Sequence, residues 1–254
     1  MIEPIGMREY NLRGRHLVVA VPAMDGRLPL RMVGELLKLL PLLAKHGVAF
    51  SLHQVSQCAL INSARNQLVA AFMSDPTATD HLFLDSDIII KAEDIVRLLC
   101  HATVKDVVAA TYRKKEDKVA YHGHLLNISD PETGLLKADR APTGCLLIRR
   151  EVYTKMMDVF ADFKYSDDRP GVNAGGLNFD DRYLYDLFSI MVVDGRLIGE
   201  DYFFTLRYHS IGGEIWIDPM IPLIHIGNKD YEGRFADSLG AVNDDKRDAE
   251  SNDV

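Results

Sequence analysis

Residues 82–90, Leu-Phe-Leu-Asp-Ser-Asp-Ile-Ile-Ile, set two carboxylates, Asp85 and Asp87, inside an otherwise apolar run. Burying an ionised group without a counter-charge is costly, so such a run should emerge from a core where its charge has a use. Leu82 to Leu84 read as a short buried strand. The acidic pair follows it, at the carboxyl end where open α/β sheets place their ligands. Hard carboxylate oxygens suit magnesium or manganese, which keep coordination positions for water and substrate phosphate. That chemistry points to a nucleotide diphosphate site. On spacing alone a plainer reading stands beside it, in which one Asp caps a helix over Lys91 to His101 and the other is solvated.

The elements around this strand alternate. His16 to Pro22 (HLVVAVP) reads as a buried strand, followed by the small-residue turn Ala23, Met24, Asp25 and Gly26. Leu30 to His46 has helical periodicity, with Pro41 expected to kink the helix or split it in two. Val48 to Val55 reads as a strand and Leu60 to Met73 as a helix, with Arg65 and Asn66 near its start. Asp106 to Tyr112 is a further strand. Alternating β and α elements predict a mostly parallel sheet with helices on both faces. From Val119 to Ile148 short strand-like pieces with a turn at Pro131 to Gly134 predict a small antiparallel extension, ending in Cys145 to Ile148. Glu151 to Phe160 and Glu200 to His209 read as helices, and Glu214 to Asp218 as a short strand. Lys164 to Asp181 is polar and glycine-bearing, and reads either as a mobile loop over the site or as a plain surface connection.

With 254 residues the chain is long enough for one catalytic unit with a full core. A net charge of −8 argues against an electrostatic grip on nucleic acid, although Arg113 to Lys115 form a local basic run. Cys58, Cys100 and Cys145 match no zinc spacing and read as reduced core residues. Met1 to Gly14 lacks an apolar signal core and no run is long enough to span a bilayer, so a cytoplasmic protein is expected. The segment from Val242 to Val254 lacks apolar content and is expected to be disordered.

Two more groups carry chemistry. Gly199, Glu200 and Asp201 stand at an expected helix start, where, taken singly, either acid is explained as a cap. His225, in Leu-Ile-His-Ile-Gly, ends a strand as a hydrogen-bonded residue or as a ligand. With HLVVAVP, Ser63-Ala64-Arg65-Asn66, Asp85-Ser86-Asp87, Thr143-Gly144-Cys145-Leu146-Leu147-Ile148, Gly199-Glu200-Asp201-Tyr202 and Gly212 to Pro219 in order, the chain resembles the metal-dependent GT-A glycosyltransferases. The likeness is to the non-processive family-two type and related small bacterial and viral enzymes, and covers about residues 15 to 235.

The resemblance implies a Rossmann-like nucleotide-diphospho-sugar transferase fold, with a single catalytic domain over 15–240. Residues 15–115 would form its nucleotide-binding half and 116–240 its acceptor-binding half, between an extension at 1–14 and a tail at 241–254. It implies a UDP- or GDP-sugar donor, a glycan or other hydroxyl acceptor, and Mn2+ or Mg2+. Asp85, Asp87 and His225 would form the metal shell, with Asp85 also meeting the donor's ribose or sugar. Pro22, Ala23, Met24, Arg65, Asn66 and Ser86 would bind the donor, and Gly144 would leave room for its sugar. Asp201 would be the catalytic base of an inverting reaction, with Glu200 beside it. Trp216 is either a sugar platform in the acceptor site or a core residue. The segment Gln54 to Cys58 lacks the acid that holds a base in many relatives, and the Gln-x-x-Arg-Trp motif of processive synthases is absent. Two other readings remain: a sugar-phosphate nucleotidyltransferase, and a non-catalytic nucleotide or carbohydrate binder of the same fold.

Overall fold

The computed structural model describes residues 10–166 and 177–239. Strand β1 (His16–Pro22) is buried along its whole length because its side chains alternate between two cores. Leu17, Val19 and Val21 meet α1 (Leu30–Lys45) and α3 (Ala92–His101), through Met32, Leu39, Ile95 and Leu98. Val18 and Ala20 face the other way, toward α2 (Ile61–Ser74) and α4 (Arg150–Val159), through Leu68, Phe72, Val152 and Met156. Helix α5 (Glu200–Ser210) joins this second layer through Phe204 and Tyr208. A sheet with helices on both faces results, as the alternation of elements predicts.

The main sheet has eight strands in the order β2-β1-β3-β8-β5-β11-β7-β6. Its members beyond β1 are β2 (Ala49–Val55), β3 (Asp80–Leu84), β5 (Val107–Ala109), β6 (His124–Ser129), β7 (Leu136–Arg140), β8 (Cys145–Arg149) and β11 (Ile215–Ile217). Strands β2, β1 and β3 are mutually parallel, as are β5 and β11. The sheet is nonetheless mixed, which corrects the expected mostly parallel arrangement. Strand β8 lies antiparallel between β3 and β5 in the middle of the sheet, not in a peripheral extension. Its run Cys-Leu-Leu-Ile is buried on both faces, as a central strand requires. The β6–β7 hairpin is the antiparallel extension at the edge, with Asp130 accepting the backbone N–H groups of Glu132 and Thr133 in its turn.

A second, three-stranded sheet stacks β4 (Ile88–Ile89) against β12 (Pro222–Ile226) and β13 (Asp230–Arg234), all antiparallel. A further hairpin, β9 (Met191–Val193) and β10 (Arg196–Ile198), turns on Asp194 and Gly195, both with positive φ. Asp-Gly suits a two-residue hairpin turn of this kind. The hairpin leads directly into Gly199 and helix α5. Helix α1 runs unbroken through Pro41, where a kink or a split was expected. The proline leaves the carbonyl of Leu37 without its intrahelical partner, in a turn where Leu37 is exposed.

Cys145 is buried while Cys58 and Cys100 are only partly so, all three as free thiols. No helix among the described residues is long and apolar enough to cross a membrane. Residues 1–9 of the expected extension, 167–176 of the expected loop and the whole expected tail lie outside the described residues.

Candidate active site

The acidic turn that follows β3 is built by the two sheets together. Asp85 N–H donates to the Gly144 carbonyl at the start of β8, and Ile88 N–H donates back to the Asp85 carbonyl. The chain then enters β4, and the Asp87 carbonyl accepts the N–H of Ile226 at 2.8 Å. His225, opposite Ile88 in the β12–β4 register, is thereby brought beside Asp87. Ser86 is half-buried in the turn between the two acids.

Arg65 organises one side of the site. Its side chain is almost fully buried at the start of α2 and donates through both terminal nitrogens to the two oxygens of Asp85, at 3.0 and 3.2 Å. A third nitrogen, Nε, faces Oε1 of Glu200 at 3.4 Å. Burial by itself would lower the guanidinium pKa, but the charges of Asp85 and Glu200 overcome that and raise it. This fork–fork pairing engages both oxygens of Asp85, one guanidinium nitrogen on each.

Asp87 has a different environment. Its Oδ2 meets Nζ of Lys115 at 2.6 Å and Nε2 of His225 at 3.4 Å. Burial pushes its pKa up, and the hydrogen bonds and charges of His225 and Lys115 more than reverse that, to about 2. His225 Nδ1 lies 2.7 Å from the carbonyl of Arg113. A carbonyl only accepts, so the network assigns that proton to Nδ1 and turns Nε2 toward Asp87. A backbone carbonyl on the far nitrogen is the arrangement that orients a histidine toward a metal.

Asp87 and His225 therefore fit a divalent cation as a pair of oxygen and nitrogen donors, the remaining positions being left to water and phosphate. Among the described residues, no group of three or more His, Cys, Asp or Glu side chains is set to hold a metal.

Asp201, in the first turn of α5, completes the cluster. Burial and the adjacent charge of Glu200 push its pKa up to about 6, against the opposing influence of the Tyr202 N–H and Arg65. A carboxylate with that affinity for protons is suited to accept one near neutral pH. Tyr112 lies among these acids, its pKa driven well up by burial and by Asp85, Asp201 and Asp87. Its ring stands edge-on to His225 at 4.8 Å.

Several expected donor contacts are placed differently. Gly144 does not leave open room, because a Cβ there would lie 2.4 Å from the Tyr112 hydroxyl, so the glycine admits the tyrosine. Asn66 has both ends of its amide engaged, donating to Asp186 and accepting from Phe188 N–H, and so fastens the 186–188 segment to α2. Trp216 is buried in the sheet, with Lys105 Nζ 3.9 Å above its ring at the amino-terminal end of β5, so it is not brought to the acidic cluster. Pro22, Ala23 and Met24 do share a small cavity of about 220 Å³ with Val55, Cys58, Ala59, Ile61 and Ala64, at the carboxyl ends of β1 and β2. Lys115 and Tyr112 escape the sequence reading; the basic run Arg113 to Lys115 is visible, but its approach to Asp87 is a tertiary fact.

No family model and no curated protein matches this sequence. Among solved structures the chain is similar to A197 from STIV, with 16% identity and a TM-score of 0.51, over 87% of this chain and 91% of that one. The two share a fold. Looser overlaps occur with TarS of S. aureus, at 11% identity and a TM-score of 0.41, over 85% of this chain and 59% of that one. Another is a glycosyltransferase involved in glycosylation of the major capsid of PBCV-1, at 10% identity and a TM-score of 0.34, over 61% of this chain and 68% of that one.

Proposed function

We propose that this protein is a glycosyltransferase that moves one sugar from a nucleoside diphosphate sugar to an acceptor hydroxyl, with inversion by a single displacement. The observation that carries the reading is the convergence of four carboxylates, Asp85, Asp87, Glu200 and Asp201, on one end of the sheet, with Arg65 and Lys115 as their close cationic partners among the described residues. Such a surplus of negative charge is costly unless a substrate or cation uses it.

Asp201 accepts the proton of the acceptor hydroxyl as that oxygen attacks the anomeric carbon, and the sugar–phosphate bond breaks on the opposite face. Glu200 keeps Asp201 basic by its adjacent charge and is itself held by Arg65. Asp87 and His225 would hold Mn2+ or Mg2+, which supplies positive charge to the departing diphosphate. Asp85, fixed by Arg65, presents a rigid edge to the donor's ribose or sugar. The cavity at Pro22, Ala23 and Met24 receives the nucleoside. Residues 15–115 form the donor side, and the acceptor side comes from 116–240.

The test is thermal stabilisation with a panel of UDP- and GDP-sugars, with and without Mn2+, followed by product analysis. A native-state ligand raises apparent stability by mass action. The expected result is a shift with one nucleotide class and release of its nucleoside diphosphate on turnover. Release of pyrophosphate would instead identify a nucleotidyltransferase, and no shift in folded protein would remove the reading.

A further inference from the structure

Lys115 shares one oxygen with His225. Its ammonium lies 2.6 Å from Oδ2 of Asp87, the same atom that His225 Nε2 faces at 3.4 Å. The lysine is held in that position by its surroundings. It belongs to a loop closed at its base by the Arg113–Tyr121 bridge and the Lys114 N–H to Ala120 carbonyl bond. The loop is fastened further along by the Asp117–Lys229 ion pair. The lysine stem runs over Gly227, where an added Cβ would stand 3.1 Å from Lys115 Cδ. The carbonyl that orients His225 comes from Arg113, two residues before the lysine. One loop therefore supplies both the orientation of the histidine and a cation for its carboxylate partner.

An ammonium and a divalent cation repel each other and compete for the same oxygen. We infer that Lys115 is a built-in competitor of the metal: it pairs with Oδ2 of Asp87 and must leave that oxygen for a divalent cation to bind. The inference rests on the assignment of Asp87 and His225 under the proposed function. Both members of the ion pair are about two-fifths exposed. A half-exposed pair is a modest restraint, so the competition tunes metal affinity and does not block it. Loop 113–121 thereby sets how much Mn2+ the protein needs, and Gly227 leaves room for the lysine stem and for the Tyr231 ring beside it.

The experiment is direct Mn2+ titration of the full chain without nucleotide, with free Mn2+ read by electron paramagnetic resonance, for the parent protein and for Lys115→Met, Gly227→Ala and Asp87→Asn. Circular dichroism establishes that each variant is folded. Lys115→Met is expected to bind Mn2+ about fivefold more tightly, the size of effect that a half-exposed ion pair supplies. Gly227→Ala, which crowds the lysine stem, should shift affinity in the same direction, and Asp87→Asn should abolish binding. Unchanged or weaker affinity in Lys115→Met would overturn the competition. Absence of Mn2+ binding in parent and Lys115→Met alike would overturn it too, while donor binding and turnover, measured separately, would still decide the transferase reading.

Discussion

The two ends of strand β3 carry acids under opposite conditions. At its start Asp80 is fully buried, with Arg15 Nε donating at 2.7 Å, a second Arg15 nitrogen on the other oxygen, and the Thr79 hydroxyl donating at 2.6 Å. Its charge is matched and closed off from water. Just past the strand's other end, Asp85 and Glu200 share Arg65, Asp87 meets Lys115, and Asp201 adds a fourth acid to the same region. Asp218 in the α3 layer follows the first pattern, held by Arg97, by His101 Nε2 at 2.9 Å and by the Met220 N–H. Burial of an acid therefore does not mark a site in this molecule; an acid surplus does.

The contrast is most exposed to test at Asp201. Replacement by Asn should cut transfer by roughly 10²- to 10⁴-fold, the usual contribution of a positioned base, while leaving donor-induced thermal stabilisation in place. Near-normal transfer would remove Asp201 as the base. At the closed end, Asp80→Ala leaves Arg15 without its counter-charge and should cost about 3–5 kcal/mol in urea unfolding. A cost below about 1 kcal/mol would mean that the amino-terminal pair is as loosely held as a surface one.

A smaller effect concerns pH. As the proposed base, Asp201 must be ionised to act, and its pKa lies at about 6, so transfer should rise with pH through a midpoint near 6. At pH 5 the rate should be about tenfold below its plateau, because only the deprotonated fraction works. Glu200→Gln removes a repelling charge and should move the midpoint down; a fixed midpoint would show that Glu200 does not act on Asp201. The smallest effect is expected at Trp216, which shares no partner with the acidic cluster. Trp216→Phe should leave the acceptor KM within about twofold. A larger rise would put the acceptor at the amino-terminal end of the sheet and erase the contrast.

Much of this arrangement is legible in the residues, and the boundary is instructive. Strands β1 and β3 can be read because both of their faces are covered, which leaves unbroken apolar runs, and the acids stand out against β3. Helices α2, α3 and α5 come close to their expected bounds through periodicity and first-turn acids. The central position of β8 is not legible, because hydropathy reports that Cys145 to Ile148 is buried and says nothing of which strands flank it. Chain order suggested the extension, and pairing chose the middle. The hairpin at Asp194-Gly195 carries a local turn signal that goes unread between weakly patterned flanks. In the site, residue types at Asp85, Asp87, Asp201 and His225 point to the chemistry. The division of labour between Asp85 and Asp87 depends on Arg65 and Lys115, whose partners lie 20 and 28 residues away. Gly144 shows the limit of analogy: a glycine suggests space, and its neighbour Tyr112 has filled it.

The antiparallel placement of β8 has a consequence for the order of events during synthesis. Strand β3 gains its second neighbour only after residues 145–149 have been made, and Arg65 meets Glu200 across 135 residues of chain. Contacts of such long range are slow to form. The first hundred residues hold β2, β1, β3 and the Arg65–Asp85 pair, but not Gly144, whose carbonyl holds the acidic turn. His225, Asp201 and Glu200 come with the last quarter of the chain. The cluster is therefore completed late, and a chain stopped short of β12 would carry Asp87 with Lys115 but without His225.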